Sequence, residues 1–138
     1  MKRYLLFAVC FLVLTALTAR FLSEPESGTA LADTAFVRTI TATDGRDMMH
    51  DGEPYILIDV RTEEEFLTLH ILGAVLLPAT ELADRIAEAA PDLADRIILY
   101  CQTGRRSANA AIRLVELGYL NVYDMGGIVD WPYEPVSG

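Results

Sequence analysis

A short apolar run that leads through a glycine-containing loop into an amphipathic helix most constrains the fold of this chain. Residues 97–100 are apolar and rich in β-branched side chains, which is typical of a strand buried on both faces of a sheet. After the loop 101–106, apolar residues recur at helical spacing over residues 107–117, and Gly118 stands where a helix usually ends. This unit predicts that Cys101 is the last residue of a buried strand.

The rest of the chain repeats this alternation of strands and helices. Predicted strands cover residues 36–40, 55–60, 74–77, 97–100 and 121–123. Predicted helices cover residues 42–50, 80–90 and 107–117. A further helix starts at the Thr62–Glu65 capping-box spacing and is expected to turn Phe66 and Leu69 inward. Strands that alternate with helices indicate an α/β fold, with a mainly parallel central sheet and helices on both of its faces.

The first 32 residues are predicted to form a targeting segment and to lie outside the fold. Cations precede an apolar run over residues 4–19, which is shorter than the roughly 20 residues of a membrane span but suits a secretory signal. Residues 30–32, Ala-Leu-Ala, have the small-x-small pattern of a cleavage site. We therefore expect a signal peptide over residues 1–32 and an exported, periplasmic or otherwise extracytoplasmic, domain over residues 33–138. An uncleaved N-terminal anchor, which would attach the domain to a membrane, is the alternative.

Composition narrows the classes of partner. The 138 residues carry a formal net charge of −9, so no nucleic acid is expected as a partner. No group of His, Cys, Asp and Glu has the spacing of metal ligands, and no metal is expected. Cys10 lies in the targeting segment, which leaves Cys101 as the single cysteine of the domain. In an exported protein, where thiols are usually paired, a lone thiol favours a chemical role.

Cys101 is the candidate nucleophile. At the end of a strand that a tight loop joins to a helix, its sulfur is expected beneath converging backbone N–H groups and near the positive end of the helix dipole. Both stabilise a thiolate, which then forms at a lower pH than from a free thiol and is a good nucleophile. A buried cysteine also often serves as a small apolar side chain. The strand end of an open α/β sheet, however, is where such folds place their chemistry.

Three blocks of sequence resemble the rhodanese-like domain family of sulfurtransferases. They are residues 59–61 with 65–66 and 70–74, residues 100–107, and residues 118–123 with 126–131. The second block, Tyr-Cys-Gln-Thr-Gly-Arg-Arg-Ser, is similar to the active-site loop of that family, and the small size and export signal resemble its periplasmic single-domain type. Leu69 and Leu72 depart from the Gly and Pro that the family usually has in the first block, which bears on local turn geometry.

The resemblance implies a rhodanese-like fold and a thiosulfate sulfurtransferase that works in two steps without a cofactor. The Cys101 thiolate would take the outer sulfur of a small-molecule donor such as thiosulfate. The resulting persulfide would pass that sulfur to a thiophilic acceptor, either cyanide or a thiol. Backbone N–H groups of the loop would hold the persulfide, and the residues concerned are Gln102, Thr103, Gly104, Arg105 and Arg106.

Polar residues around the loop are expected to support this chemistry. We expect Arg105 to face the donor and Arg106 to order the loop. Asp59 and Arg61 close the neighbouring strand, where an ion pair between them would brace the floor of the site. Ser107 is expected to cap the first turn of the helix that follows the loop.

Two other functions stay open on the sequence. A phosphatase or arsenate reductase also uses a thiolate in an anion-binding loop, although only four residues separate Cys101 from Arg106, where tyrosine phosphatases have five. A non-catalytic rhodanese-like module would bind a partner or store a persulfide, although such modules commonly lose the cysteine that this chain keeps.

Overall fold

The computed structural model describes residues 35–138, and the predicted signal peptide or anchor lies outside the described residues. The described residues form five strands: β1 (Phe36–Thr39), β2 (Ile56–Asp59), β3 (Val75–Leu76), β4 (Arg96–Cys101) and β5 (Asn121–Gly127). They also form four α-helices: α1 (Ala42–His50), α2 (Glu63–Thr68), α3 (Leu82–Ala89) and α4 (Arg105–Glu116). A 3-10 helix, Ile128–Asp130, follows β5. Over this part of the chain no helix has both the length and the apolar character needed to cross a membrane.

The strands lie parallel in one sheet with the order β1-β5-β4-β2-β3. Strand β4 is central, and Asp59 at the end of β2 is in register with Tyr100, the residue before Cys101. The carboxyl ends of β2 and β4 therefore meet at the edge of the sheet where open α/β folds usually bind ligands. The predicted α/β fold with a parallel sheet is confirmed, and Cys101 is the last residue of its strand.

The side chains of β4 alternate between two apolar cores, one on each face of the sheet. Ile97, Leu99 and Cys101 belong to the core that contains the buried residues of α3 and α4. Ile98 and Tyr100 belong to the other core, to which α1 and the segment after β5 contribute side chains. Burial on both faces explains the continuous apolar sequence of this strand. The alternation also turns the Cys101 side chain towards α4.

The main differences from the sequence prediction concern the start of α4, the end of β5 and the side chain of Leu69. Helix α4 begins at Arg105, two residues earlier than predicted, because Gly104 adopts a left-handed conformation with φ 94° that leads directly into the helix. Strand β5 extends to Gly127, beyond the predicted end, since it pairs with β1 on one side and β4 on the other. Leu69 was expected to point inward and does not: α2 ends before it, its backbone is extended, and it is 36% exposed.

Candidate active site

The Cys101 sulfur lies at the end of β4, beneath the short loop that leads into α4. The backbone N–H of Gly104 donates a hydrogen bond to Sγ over 3.1 Å. The cysteine is only 1% exposed, so the loop and the core cover most of it. The twelve-residue α4 starts directly after the loop, and its dipole places partial positive charge near the sulfur. This geometry suits an anionic sulfur.

The surroundings of the sulfur favour the thiolate over the thiol. Burial by itself raises the pKa of the Cys101 thiol. Hydrogen bonds from the Ser107 backbone and hydroxyl, and from the backbone N–H groups of Thr103 and Gly104, outweigh burial and bring the pKa below its ordinary value. At neutral pH a larger fraction of this cysteine is therefore ionised than of a free thiol, and its nucleophilicity rises accordingly.

Two glycines let the backbone close around the sulfur. Gly104 has a φ of 94°, a left-handed conformation that other residues adopt only with strain. Gly127 has ordinary extended backbone angles, but a Cβ there would lie 2.7 Å from the carbonyl oxygen of Gln102 and 2.8 Å from Cα of Thr103. Because both neighbours are backbone atoms, β5 can approach the loop this closely only without a side chain at residue 127.

The structure corrects the role predicted for Ser107. It was expected to cap the first turn of α4, but the cap residue is Gly104 and Ser107 is the third residue of the helix. The Ser107 hydroxyl is within donating distance of the carbonyl oxygens of Gly104, at 3.0 Å, and of Gly126, at 3.3 Å. The residue is fully buried, and its backbone and hydroxyl contribute to lowering the pKa of the Cys101 thiol. The cap prediction is wrong because the helix starts two residues earlier, which turns this hydroxyl towards the site.

A buried ion pair lies next to the loop. Arg61 Nη2 is 2.7 Å from Asp59 Oδ2, and the two side chains are 2% and 0% exposed. Arg61 Nη1 donates to the side-chain oxygen of Gln102 over 3.1 Å, and Nη2 donates to the Leu69 carbonyl over 2.6 Å. The ion pair expected from the sequence is thus present. The hydrogen bond from Arg61 to Gln102 connects this ion pair to the loop, because Gln102 directly follows Cys101.

A second ion pair joins the start of α4 to α2. Arg106 Nη1 and Nη2 donate to the two carboxylate oxygens of Glu65 over 2.8 and 2.6 Å. Glu65 also accepts hydrogen bonds from the backbone and hydroxyl of Thr62, which confirms the predicted capping box. Hydrogen bonding to Arg106 and Thr62 outweighs burial and lowers the pKa of Glu65 to about 2. Glu65 therefore stays ionised and holds Arg106 beside the loop.

Comparison with known proteins agrees with this geometry. The model of the rhodanese-like domain family matches residues 41–133, more than half of the chain. The chain belongs to the rhodanese-like domain family. Its sequence is 41% identical over 81 residues to thiosulfate sulfurtransferase PspE of Escherichia coli, covering 59% of this chain and 78% of that protein. This confirms the resemblance expected from the three sequence blocks.

Two further relatives of this rhodanese-like domain support the assignment. Thiosulfate sulfurtransferase GlpE of Pseudomonas savastanoi is 38% identical over 88 residues, which is 60% of this chain and 81% of that protein. The solved structure of a rhodanese with anions from E. coli superposes with a TM-score of 0.59 at 39% identity, covering 62% of this chain and all of that one. The rhodanese-like fold is therefore confirmed along with the family.

The two loop arginines of this rhodanese-like domain have different surroundings. The guanidinium of Arg106 is paired with the carboxylate of Glu65. Arg105 is exposed, and within residues 35–138 it forms no ion pair. Thr103 is also exposed and Gln102 is half-buried. The structure thus gathers the predicted loop residues around Cys101, while their individual roles stay predictions.

Sequence reasoning missed two residues of this site, Glu65 and Gly127. Glu65 was assigned to helix capping alone, although the Glu-Phe pair at residues 65 and 66 lies in the first family block. Gly127 belongs to a Gly-Gly pair in the third block. Such a pair indicates a close backbone approach but does not identify the segment that is approached. Both contact loop residues that are 24 or more positions away in the chain, so local patterns do not show the contact.

The Glu65–Arg106 pair predicts a pH-dependent contribution to stability. Because the pKa of Glu65 is about 2 in the folded domain and ordinarily 4.5, the pair stabilises the fold fully above about pH 4.5. That stabilisation is lost as the pH falls towards 2. We expect the free energy of urea unfolding of wild type and Glu65→Gln to differ most at neutral pH and to converge near pH 2. Glutamine keeps the capping box, so the comparison isolates the charge.

The matched control places the same substitution in an Arg106→Gln background. In that background the effect of Glu65→Gln on the free energy of unfolding should depend much less on pH. The reason is that Arg106 is the main cause of the lowered pKa of Glu65. A Glu65→Gln difference that is equally large at pH 7 and pH 2 would contradict the assignment.

Proposed function

We propose that this chain, a sulfurtransferase of the rhodanese type, moves sulfur from thiosulfate through a persulfide on Cys101 to cyanide or a thiol. The observation that carries the proposal is the Cys101 sulfur under the loop, with the Gly104 N–H donating to it over 3.1 Å. The names of the relatives PspE and GlpE, both thiosulfate sulfurtransferases, support the choice of donor.

In the first step the Cys101 thiolate attacks the outer sulfur of thiosulfate. A new S–S bond forms to Cys101, the S–S bond within thiosulfate breaks, and its electron pair leaves on sulfite. The product is a cysteine persulfide anion, and total charge is conserved. Backbone N–H groups of the loop and the dipole of α4 stabilise the anion before and after transfer. Because Cys101 is 1% exposed, a donor that offers a single protruding sulfur atom suits this site better than a bulky group.

In the second step the acceptor attacks the outer sulfur of the persulfide. The Cys101 S–S bond breaks, and its electron pair returns to the cysteine as a thiolate. With cyanide as the acceptor the product is thiocyanate. With a thiol as the acceptor the product is a persulfide that carries the proton of the original thiol. The net reaction needs no oxidant, reductant or cofactor. The same stabilised thiolate therefore serves as nucleophile in the first step and as leaving group in the second.

Arg105 would attract the anionic donor electrostatically. It is exposed, lies at the first position of α4, and forms no ion pair among the described residues. Arg106 is neutralised by Glu65 and is better placed to order the loop. Arg105 would therefore attract a thiosulfate dianion to the loop, since no ion pair among the described residues neutralises its charge.

We further propose that the domain is exported. The apolar run over residues 4–19 and the Ala-Leu-Ala at residues 30–32 support a cleaved signal, with a retained anchor as the alternative. The N-terminal sequence of the protein recovered from the cell envelope tests this, since cleavage after residue 32 leaves Asp33 as the first residue.

The proposed reaction is tested by incubating the purified domain with thiosulfate and measuring its intact mass. We expect one added sulfur atom, which cyanide then removes as thiocyanate, and no addition in Cys101→Ser. Sulfur uptake by folded Cys101→Ser would contradict the proposal. Hydrolysis of p-nitrophenyl phosphate without sulfur uptake would indicate a phosphatase instead. A folded protein that does neither would indicate a non-catalytic module.

A further inference from the structure

A cavity of about 410 Å³ lies beside the active-site loop, on the side of α2. Its lining residues are Arg61, Glu64, Glu65, Thr68, Leu69 and Gln102. Gln102 directly follows Cys101, and Glu65 holds Arg106 of the loop, so the wall of the cavity is continuous with the residues that surround the sulfur. A larger cavity of about 670 Å³ between β3 and α3 is lined by none of the loop residues and is not part of this site.

The charges that line the cavity beside the loop are nearly all neutralised. Arg61 is paired with Asp59, and Glu65 is paired with Arg106. Glu64 is the exception: its side chain is exposed and forms no ion pair within residues 35–138. The cavity therefore has one uncompensated negative charge, whereas Arg105 gives the start of α4 an uncompensated positive charge.

We infer that this cavity receives the sulfur acceptor and that Glu64 makes it select uncharged or cationic thiols over anionic ones. The inference rests on the proposed sulfur transfer and specifies its second step. An acceptor thiol in the cavity approaches the persulfide from the α2 side, where Glu64 repels negative charge and attracts positive charge. Leu69, which is 36% exposed, offers apolar contact to the carbon chain of the acceptor. Glu64 is a specificity-determining residue and takes no part in bond making.

The acceptor step can be measured by itself. The protein is loaded with thiosulfate, freed of excess donor, and mixed with a single thiol while the return of Cys101 from persulfide to thiolate is followed by mass. The probes are cysteamine as cation, 2-mercaptoethanol as uncharged thiol and mercaptoacetate as anion. Because each thiol is compared with itself between variants, differences in intrinsic reactivity cancel.

Glu64→Lys is expected to raise the rate with mercaptoacetate relative to cysteamine by about tenfold at low ionic strength. The effect should shrink as salt is added, since the charges are screened. The rate with 2-mercaptoethanol, which is uncharged, should change much less than the rates with the two charged thiols. The matched control is Glu63→Lys, the same change one residue earlier in α2, at a position that lines a different cavity with Pro78 and Glu81.

The outcomes separate this inference from the proposed function. An equal shift of thiol preference in Glu63→Lys and Glu64→Lys would show a general surface-charge effect and overturn the inference. No shift in a folded Glu64→Lys protein that loads sulfur normally would overturn it as well. Failure of the wild-type protein to take sulfur from thiosulfate would instead overturn the proposed function, and the inference with it.

Discussion

Replacing Asp59 with asparagine is expected to lower the free energy of unfolding by about 3–5 kcal/mol. Asp59 is fully buried and accepts hydrogen bonds from Nε and Nη2 of Arg61, which is itself 2% exposed. The substitution removes the only anion paired with this guanidinium among the described residues and leaves a buried cation without compensation. Urea unfolding followed by circular dichroism measures the change.

A matched pair on the surface provides the control. Arg96 donates to both carboxylate oxygens of Asp51 over 3.0 and 2.7 Å, but the two side chains are 21% and 38% exposed. Asp51→Asn should therefore lower the free energy of unfolding much less than Asp59→Asn does. If Asp51→Asn and Asp59→Asn lower the free energy of unfolding equally, the buried ion pair stabilises the fold no more than the exposed one.

Replacing Gly127 with alanine is expected to reduce sulfur transfer by about 100-fold, because displacement of a reacting group by about 1 Å can have this effect. The new Cβ would lie 2.7 Å from the Gln102 carbonyl oxygen and 2.8 Å from Thr103 Cα, so the loop must move. Its backbone N–H groups then stabilise the Cys101 thiolate less, and the pKa of the cysteine rises towards its ordinary value. Steady-state thiocyanate formation and the pH dependence of Cys101 alkylation measure the two effects.

Gly52→Ala is the control for a glycine substitution that destabilises without moving the loop. Gly52 has a φ of 88°, and the space that a Cβ would occupy there is open, so alanine should cost about 1–2 kcal/mol through backbone conformation alone. Sulfur transfer per folded molecule should be unchanged. If Gly127→Ala retains full transfer and an unshifted alkylation profile, the close approach of β5 to the loop has no role in the chemistry.

Several features of this domain follow from patterns within short stretches of sequence. The apolar run before Cys101 predicted β4 because a strand buried on both faces needs apolar side chains at every position. The Thr62–Glu65 spacing predicted the start of α2, since a capping box involves only residues three apart. The position of the nucleophile at a strand end followed from the loop glycine and the helix after it. Each of these depends on interactions between residues close in the chain.

The surroundings of the sulfur were decided by contacts between distant segments. Glu65 meets Arg106 across 41 residues of sequence, and the fit of Gly127 against the loop depends on β5 lying next to β4. The start of α4 at Arg105 depended on the left-handed conformation of Gly104, which lies against Gly126 of β5. Sequence alone thus determined the family, the strand that ends in Cys101 and the type of reaction. Only the tertiary structure decided which charges are paired and how tightly the loop closes, because both depend on the packing of the whole sheet.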